Sequence, residues 1–163
     1  MGELKKVIFH LHNLNMGGAE RVALTLAGQF ARDGIETKVV TMQRADREYE
    51  LPEGVERIVI QEEGDSENVG IIGRLRRIKQ KEKMLREVLL IEKPDIVIAF
   101  DRSANYRAVG AAKGICPVLV SVRNDPARNY ASKMQKFYCR KYMYKAQGCV
   151  FQTKQAMDFF PKS

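Results

Sequence analysis

Several features of other protein classes are missing from this 163-residue sequence. It has no run of about 18 apolar residues, which a membrane-spanning helix needs. Its first residues lack the pattern of a secretory signal peptide. The three cysteines, Cys116, Cys139 and Cys149, include no Cys-x-x-Cys pair, so neither a zinc site nor a disulfide framework is expected. We therefore expect a cytoplasmic protein.

Motifs for common cofactors are missing as well. There is no Gly-x-Gly-x-x-Gly, which disfavours an NAD enzyme, and no Gly-x-x-x-x-Gly-Lys-Ser/Thr, which excludes a P-loop kinase. His10 and His12 share one face of a predicted strand, but no matching third metal ligand lies nearby. We expect no metal and no cofactor. His10 is predicted to be a core residue, and His12, nearer the strand end, to touch the site.

The composition is that of one globular domain, and 1–163 is predicted to be a single domain. Hydrophobic residues make up 45% of the chain and charged residues 29%. The net charge of +8 is unevenly distributed: residues 69–93 hold eight Lys/Arg against three Glu, and residues 123–145 hold seven against one Asp. These segments are either solvated helix faces or attractors of an anionic partner. Nucleic acid is not expected, because its binding motifs are missing and residues 46–67 carry a net charge of −7.

Strands and helices alternate along the chain. The apolar runs that predict strands lie at 7–12, 37–42, 55–60, 95–100, 117–122 and 149–152. The spacing also predicts a long helix over 73–92, with Leu75 and Ile78 on its inner face, and a continuous helix over 126–146. Strands that are apolar on both faces and joined by helices predict an α/β fold, a Rossmann-like open, mostly parallel sheet with helices on both faces.

In such a fold the ligand lies beyond the carboxyl ends of the strands. Gly17 and Gly18 stand before a predicted helix N-terminus, where glycine lets a phosphate approach backbone N–H groups; a plain strand-to-helix turn would also use them. Asp101 follows a strand and is a general base, a hydroxyl-binding carboxylate or the N-cap of the next helix. Asp125 also has the pattern of an N-cap.

Four segments, in order, resemble the N-terminal domain of family 4 glycosyltransferases. They are Asn15-Met16-Gly17-Gly18-Ala19-Glu20-Arg21, Lys93-Pro94-Asp95-Ile96-Val97-Ile98-Ala99-Phe100, Ser121-Val122-Arg123-Asn124-Asp125-Pro126 and Val150-Phe151-Gln152-Thr153. The resemblance covers nearly the whole chain. It implies a GT-B enzyme, in which two Rossmann-like domains face each other across a cleft. The N-terminal domain binds the acceptor, and the C-terminal domain binds the nucleotide-sugar donor.

The resemblance also assigns roles to residues. Gly17 and Gly18 would contact the donor diphosphate, and Asp101 would line the acceptor side; its place as an acid after a strand makes Asp101 the candidate catalytic residue. The acceptor-binding candidates are His12, Asn15, Arg123, Asn124 and Asp125. The family usually retains the anomeric configuration and needs no metal. Since the chain ends where the donor domain should begin, we expect an isolated acceptor domain of a hexosyltransferase, inactive alone; the alternative is a freestanding sugar-, lipid- or membrane-surface-binding domain without catalysis.

Acceptors in this family are often lipid-linked or nascent surface polysaccharides, which suggests a role for the two basic segments. Cations interleaved with aromatic residues suit an anionic membrane interface. We therefore expect peripheral association with the inner face of the membrane. The predicted membrane-facing residues are Arg76, Lys79, Lys83, Lys136, Arg140 and Tyr142.

Overall fold

The computed structural model describes residues 3–60, 70–123, 125–130 and 132–160. Its strands are β1 (Lys6–Leu11), β2 (Glu36–Thr41), β3 (Val55–Val59), β4 (Ile96–Phe100), β5 (Val118–Val122) and β6 (Gly148–Phe151). Its helices are α1 (Gly18–Arg32), α2 (Ile71–Glu92), α3 (Arg102–Ala111), α4 (Pro126–Asn129), α5 (Lys133–Tyr142) and α6 (Lys154–Asp158). A 3₁₀ turn, Met143–Lys145, follows α5.

The sheet has the strand order β3-β2-β1-β4-β5-β6, and all pairings between the described strands are parallel. On β1, His10 is the register partner of Val40 on one side and of Ala99 on the other. The direction of strand addition reverses between β1 and β4, which makes this the topological switch point where open α/β sheets bind ligands. The predicted Rossmann-like open parallel sheet is confirmed.

Alternate residues of β1 point into two separate hydrophobic layers. Val7 and Phe9 join the layer under α1, where the ring centroid of Phe9 lies 6.2 Å from that of Phe100. Ile8 joins the layer under α2, α3 and α5, together with Leu89. Both faces of the sheet are therefore covered, which explains why these strands show no alternation of polar and apolar residues.

The predicted continuous helix over 126–146 is wrong. The chain forms α4, α5 and the 3₁₀ turn instead. Ser132 begins α5 with a capping box: the backbone N–H of Gln135 donates to Ser132 Oγ at 3.2 Å, and the backbone N–H of Ser132 donates to Gln135 Oε1 at 3.2 Å. The two side chains thus accept hydrogen bonds from backbone N–H groups that have no partner within the helix. Helix α5 can therefore begin at Ser132 without continuing from the segment before it.

The inner face of α2 is shorter than its spacing predicts. Leu75 and Ile78 are 49% and 46% exposed, whereas Leu85 and Leu89 are fully buried. Only the C-terminal half of α2 therefore packs into the core layer. Among the helices in the described ranges, none is both long enough and apolar enough to cross a membrane.

Candidate functional site

The ends of β1 and β4 form the centre of the sheet's carboxyl edge. Because the two strands pair in parallel, the loops that follow them, residues 12–17 and Asp101, leave the sheet side by side. The loops after β5 and β6, which hold Arg123 and Gln152, continue along the same edge. The structure thus brings the sequence candidates of three separate segments to one edge.

The diglycine opens α1, with Gly17 as the N-cap and Gly18 as the first helical residue. Gly17 has no side chain that could cap the helix. The space where Gly18 would carry a Cβ is empty to a distance of 4 Å. The backbone N–H groups of the first turn are therefore approachable by a ligand from the side of Gly18.

Glu20 covers the other glycine. Its carboxylate lies so close to Gly17 that a Cβ on Gly17 would collide with it. An acid in the first turn compensates the helix dipole, so α1 already has one negative charge at its N-terminus. An anionic ligand at Gly17 would displace this carboxylate, whereas Gly18 is accessible without any displacement.

The loop before α1 is fixed to its neighbours through Glu48. Asn15 forms an antiparallel bridge with Glu48, and the backbone N–H of Tyr49 donates to the carbonyl of Leu14 at 3.1 Å. The carboxylate of Glu48 accepts two hydrogen bonds from the guanidinium of Arg57, at 2.6 and 2.9 Å. A bidentate pair of this kind is rigid as well as strong, so it sets the position of the loop.

The Glu48–Arg57 pair is largely buried, with side chains only 15% and 8% exposed. The hydrogen bonds from Arg57 lower the pKa of Glu48 to about 2. This ion pair was not predicted from the sequence. Arg57 could have indicated it, because Arg57 is one of two cations in residues 46–67, a segment with nine acidic residues. Glu48 and Glu56 also have the Glu-x7-Glu spacing of the family's donor site, but Glu56 pairs with Lys38 at 3.0 Å, so both carboxylates have structural partners.

Asp101 has a backbone conformation that almost only glycine adopts, with φ +77° and ψ 151°. Such a conformation costs about 1–3 kcal/mol. Asp101 precedes α3, but its carboxylate makes no capping hydrogen bond to that helix. Ser103 Oγ donates to the carboxylate at a long 3.4 Å. The N-cap alternative is therefore not supported for this side chain, and its carboxylate retains acceptor capacity for a ligand.

Asn105 holds the turn at Asp101 in place. Its side chain is fully buried and donates from Nδ2 to the carbonyl of Ser121 at 2.9 Å, which ties α3 to β5. Its backbone N–H donates to the carbonyl of Asp101 at 2.8 Å. Asn105 is a positioning residue that sequence reasoning missed, since a buried asparagine within a helix has no distinctive pattern in the sequence.

The predicted acceptor-binding residues after β5 are Arg123, Asn124 and Asp125, and the two that the structure describes make different contacts. Asp125 caps α4, because its Oδ1 accepts from the backbone N–H of Ala127 at 2.9 Å. The Gln152 amide, oriented by its hydrogen bonds, donates to the carbonyl of Arg123 at 2.7 Å and accepts from Arg123 Nη2 at 3.2 Å. Asn124 lies outside the described residues. A pocket of about 300 Å³ beyond β5 and β6 is lined in part by Asp125 and Gln152.

The two histidines of β1 and its loop differ in their surroundings. His10 is fully buried; its Nδ1 donates to the carbonyl of Val40 at 2.9 Å, and its Nε2 accepts from Arg107 Nη1 at 3.1 Å. Burial, together with the charge of Arg107, lowers the pKa of His10 to about 3. His10 is therefore a neutral core residue, as expected. His12 is half-buried where β1 leaves the sheet.

Five of the six predicted membrane-facing side chains are exposed, and one is not. The exposed side chains are those of Arg76, Lys79, Lys83, Lys136 and Arg140. Tyr142 is only 9% exposed and packs in the core layer, where its ring lies 5.6 Å from that of Tyr106. The prediction for Tyr142 is wrong, because the aromatic spacing along α5 points this ring inward rather than toward the basic surface.

The cysteines are unsuited to nucleophilic chemistry. Burial raises the pKa of Cys116 and of Cys139 to about 11 and that of Cys149 to about 12, so the thiols stay protonated at neutral pH. In the part of the chain that the structure describes, no group of three or more His, Cys, Asp or Glu residues could hold a metal ion. The expected lack of a metal requirement stays a prediction.

Solved structures share this fold at low sequence identity. MurG from Acinetobacter baumannii aligns with a TM-score of 0.59 at 17% identity, over 98% of this chain and 43% of that one. A putative UDP-N-acetylglucosamine 2-epimerase from Listeria monocytogenes gives 0.66 at 17% identity, over 96% and 41%. A glycosyltransferase from Rickettsia africae ESF-5 gives 0.54 at 15% identity, over 92% and 43%. The chain thus spans less than half the length of these proteins.

Comparison with protein-family models identifies the family of this chain as well as its fold. No curated protein sequence matches the chain significantly. The family model for Glycosyltransferase Family 4 matches residues 16–160, which include the diglycine, Asp101, Arg123 and Gln152. This match covers most of the chain and starts next to the open N-terminus of α1. The chain therefore belongs to glycosyltransferase family 4.

Proposed function

We propose that this chain is the acceptor-binding half of a retaining glycosyltransferase that uses a nucleotide-sugar donor. One observation carries the proposal: at the switch point between β1 and β4, the open helix N-terminus at Gly18 and the uncapped carboxylate of Asp101 lie on adjacent loops. Transfer of a sugar from a diphosphate to a hydroxyl needs a site that binds the diphosphate. Next to it, the enzyme needs a group that accepts a hydrogen bond from the attacking hydroxyl. Membership of glycosyltransferase family 4 supports the same reaction class.

The donor would be bound mainly by a second domain outside this chain. The chain covers 41–43% of the structures it resembles, which is consistent with a partner domain of similar size. The donor diphosphate would face Gly18, and reaching Gly17 would require Glu20 to move. No cofactor is proposed; the nucleotide sugar is a co-substrate.

The acceptor would lie along the edge from β1 to β6. His12 and Asn15 would contact it at the end of β1. Arg123, Asn124 and Asp125 would contact it beyond β5, next to the pocket of about 300 Å³. A glycan or lipid-linked acceptor fits this arrangement, and synthesis of a surface polysaccharide or a glycolipid is the proposed context.

The chemistry assigned to Asp101 is proton acceptance. Because the configuration is retained in a single displacement, the acceptor oxygen must form its bond to the anomeric carbon on the same face from which the diphosphate leaves. The bond between that carbon and the diphosphate oxygen breaks, and the nucleoside diphosphate leaves with the electron pair. Asp101 orients the acceptor hydroxyl by accepting its hydrogen bond and then accepts its proton. The rigid turn held by Asn105 keeps the carboxylate in place for this step.

The test is a sugar-transfer assay on the polypeptide encoded by the complete reading frame. Asp101→Asn should lower kcat at least ~100-fold, the usual size of a lost general base, with donor KM little changed. Asp33→Asn is the matched control, since Asp33 is exposed at the end of α1, and its kcat should stay within twofold of the wild type, ~0.4 kcal/mol or less. An Asp101→Asn variant that is folded by circular dichroism and fully active would overturn the role of Asp101.

A second proposal is that the basic segments hold the protein on an anionic membrane. The exposed cations Arg76, Lys79 and Lys83 lie on α2, and the large apolar side chains of Met134 and Phe137 on α5 are 66% and 61% exposed. Cations combined with exposed apolar side chains favour a membrane interface over a merely solvated helix face.

Co-sedimentation with phosphatidylglycerol-containing vesicles tests this second proposal. Binding should occur at low salt and weaken at high salt. The variant Arg76→Gln/Lys79→Gln/Lys83→Gln should bind more than ~tenfold more weakly, because each cation contributes roughly 1 kcal/mol at such a surface. The control Lys5→Gln/Arg32→Gln/Lys113→Gln removes the same charge from other exposed positions. No binding at low salt, or equal losses in both variants, would contradict the proposal.

A further inference from the structure

Arg123 is a cation whose charge is not neutralised by its neighbours. Its side chain is half-buried, and among the described residues no carboxylate pairs with it. The guanidinium contacts the neutral amide of Gln152 and the ring of Phe100 instead. A partly buried charge is normally paired, because its removal from water costs free energy. The charge of Arg123 is therefore available to a ligand.

Arg57 shows how the same protein uses an arginine in a structural role. Two hydrogen bonds to the carboxylate of Glu48 neutralise Arg57 and fix the loop before α1. At Arg123 the partner is an amide, whose oxygen accepts a hydrogen bond without adding a negative charge. This contact orients the guanidinium and leaves its charge uncompensated.

Gln152 holds Arg123 at two points. Its Nε2 donates to the backbone carbonyl of Arg123 at 2.7 Å, and its Oε1 accepts from Nη2 at 3.2 Å. The Cζ of Arg123 lies 6.0 Å from the ring centroid of Phe100. The Nε of Arg123 is shielded from solvent and has no hydrogen-bond partner among the described residues. A ligand can therefore reach the guanidinium only through its Nη atoms, which are paired donors in one plane.

The guanidinium lies beside the proposed acceptor site. Phe100 ends β4 and directly precedes Asp101. Gln152 follows β6 and lines the pocket of about 300 Å³. Arg123 follows β5, which lies between these two strands in the sheet. An acceptor with its hydroxyl at Asp101 and its body toward the pocket would therefore pass the guanidinium.

We propose that Gln152 is a positioning residue that presents the charge of Arg123 to an acidic sugar of the acceptor, one that carries a carboxylate or a phosphate. Such a group accepts two hydrogen bonds from a guanidinium, whereas a neutral sugar would leave the charge unpaired. The inference rests on the proposed function, because it assigns a chemical class to the acceptor that the proposed function places at this edge.

An NMR titration of this chain with three sugars tests the acidic class. Glucose is neutral, glucuronate adds a carboxylate and glucose 6-phosphate adds a phosphate, while inorganic phosphate supplies an anion without a sugar. At least one acidic sugar should bind ~tenfold or more tightly than glucose and shift the Arg123 Nε–H signal, and its identity names the anion. Equal binding of glucose, or equally tight binding of inorganic phosphate, would overturn the assignment.

Substitutions of Gln152 test the positioning role. Gln152→Glu keeps an oxygen for Nη2 but neutralises Arg123, so the preference for the acidic sugar over glucose should fall at least ~fivefold. Gln152→Ala removes the orientation and keeps the charge, so the preference should fall ~threefold. A merely structural role would weaken the binding of all the sugars equally and leave this preference unchanged.

Gln155→Glu is the matched control. Gln155 lies on α6 and lines the same pocket, but it makes no hydrogen bond to Arg123. The variant places the same charge nearby and should keep most of the preference. An unchanged preference in Gln152→Glu, or equal losses in Gln152→Glu and Gln155→Glu, would overturn the proposal.

The failure of this inference is distinguishable from failure of the proposed function. If the complete polypeptide transfers sugar but this chain binds acidic and neutral sugars equally, only the role of Gln152 and Arg123 is wrong. If an acidic sugar binds as described but the complete polypeptide transfers no sugar, the transferase proposal is wrong and the chain is a binding domain for acidic sugars.

Discussion

Two arginines position residues around the carboxyl edge, one through a carboxylate in the segment between β2 and β3 and the other through a histidine on the central strand. Arg57 on β3 holds Glu48, whose backbone is bridged to Asn15. Arg107 on α3 is bonded to His10 on the central strand. Each partner has to keep one protonation state, with Glu48 ionised and His10 neutral. The geometry of the site therefore depends on groups that are not proposed to contact substrate.

The neutral state of His10 predicts acid sensitivity. Unfolded His10 binds a proton below pH 6.5, whereas the folded residue, with a pKa of about 3, does not. The unfolded state thus binds more protons, and the free energy of unfolding should fall as the pH drops from 6.5 toward 3, by up to ~1.4 kcal/mol per pH unit.

Urea unfolding between pH 7 and pH 5 isolates this contribution, since the carboxylates titrate mostly at lower pH. His10→Phe removes the titrating group, so the slope of the unfolding free energy against pH should be shallower than in the wild type. The variant should also be less stable at pH 7 by about 1–3 kcal/mol, because Val40 and Arg107 lose their partner. An unchanged slope would contradict the account of His10.

Removing the charge of Glu48 should lower the stability of the folded protein. Glu48→Gln leaves Arg57 buried without its counter-charge, so the unfolding free energy at pH 7 should fall by ~3 kcal/mol. The stabilisation by Glu48 is present above pH 4.5 and is lost as the pH falls toward 2. The control Glu56→Gln removes an exposed charge and should cost under ~1 kcal/mol. Equal costs for the two variants would argue against the pair as an anchor.

At the scale of elements, the strands were predictable and the last helices were not. Short runs such as Ile96–Phe100 are apolar throughout because helices cover both faces of the sheet, and this signal survives in the sequence. The segment 126–146 combines basic and aromatic residues at near-helical spacing, which hides a break at Ser132. The capping-box pair Ser132 and Gln135 was the readable signal for that break.

The cap of α5 should have a measurable effect. Ser132→Ala removes the acceptor for the N–H of Gln135, so the unfolding free energy should fall by ~1 kcal/mol in urea titrations. Ser132→Thr keeps a hydroxyl at the cap and should retain most of the stability. If alanine and threonine variants are equally stable, α5 does not depend on this cap.

At the scale of the whole molecule, the edge that holds the site was predictable, but its detailed geometry was not. The order of strands and loops along the sequence placed Gly18, Asp101 and Arg123 at one edge of a parallel sheet. The positive φ of Asp101 and the inward turn of Tyr142 result from tertiary packing, which a single sequence does not encode at one position. Within the two basic segments, exposed cations such as Arg76, Lys79, Lys136 and Arg140 lie on α2 and α5.

If this chain is the acceptor side of the enzyme, as proposed, it should bind donors weakly. Calorimetry with UDP- and GDP-sugars should find affinities weaker than micromolar for residues 1–163, because one open helix N-terminus supplies few contacts to a nucleotide sugar. Micromolar binding of either donor would show that this chain contains the donor site.

The most direct test of the account is sugar transfer by the polypeptide encoded by the complete reading frame, followed by NMR of the product. We predict that the protein transfers sugar from a UDP- or GDP-sugar with the anomeric configuration retained. A protein that transfers no sugar from any of these donors, or a product with the configuration inverted, would contradict the proposed function.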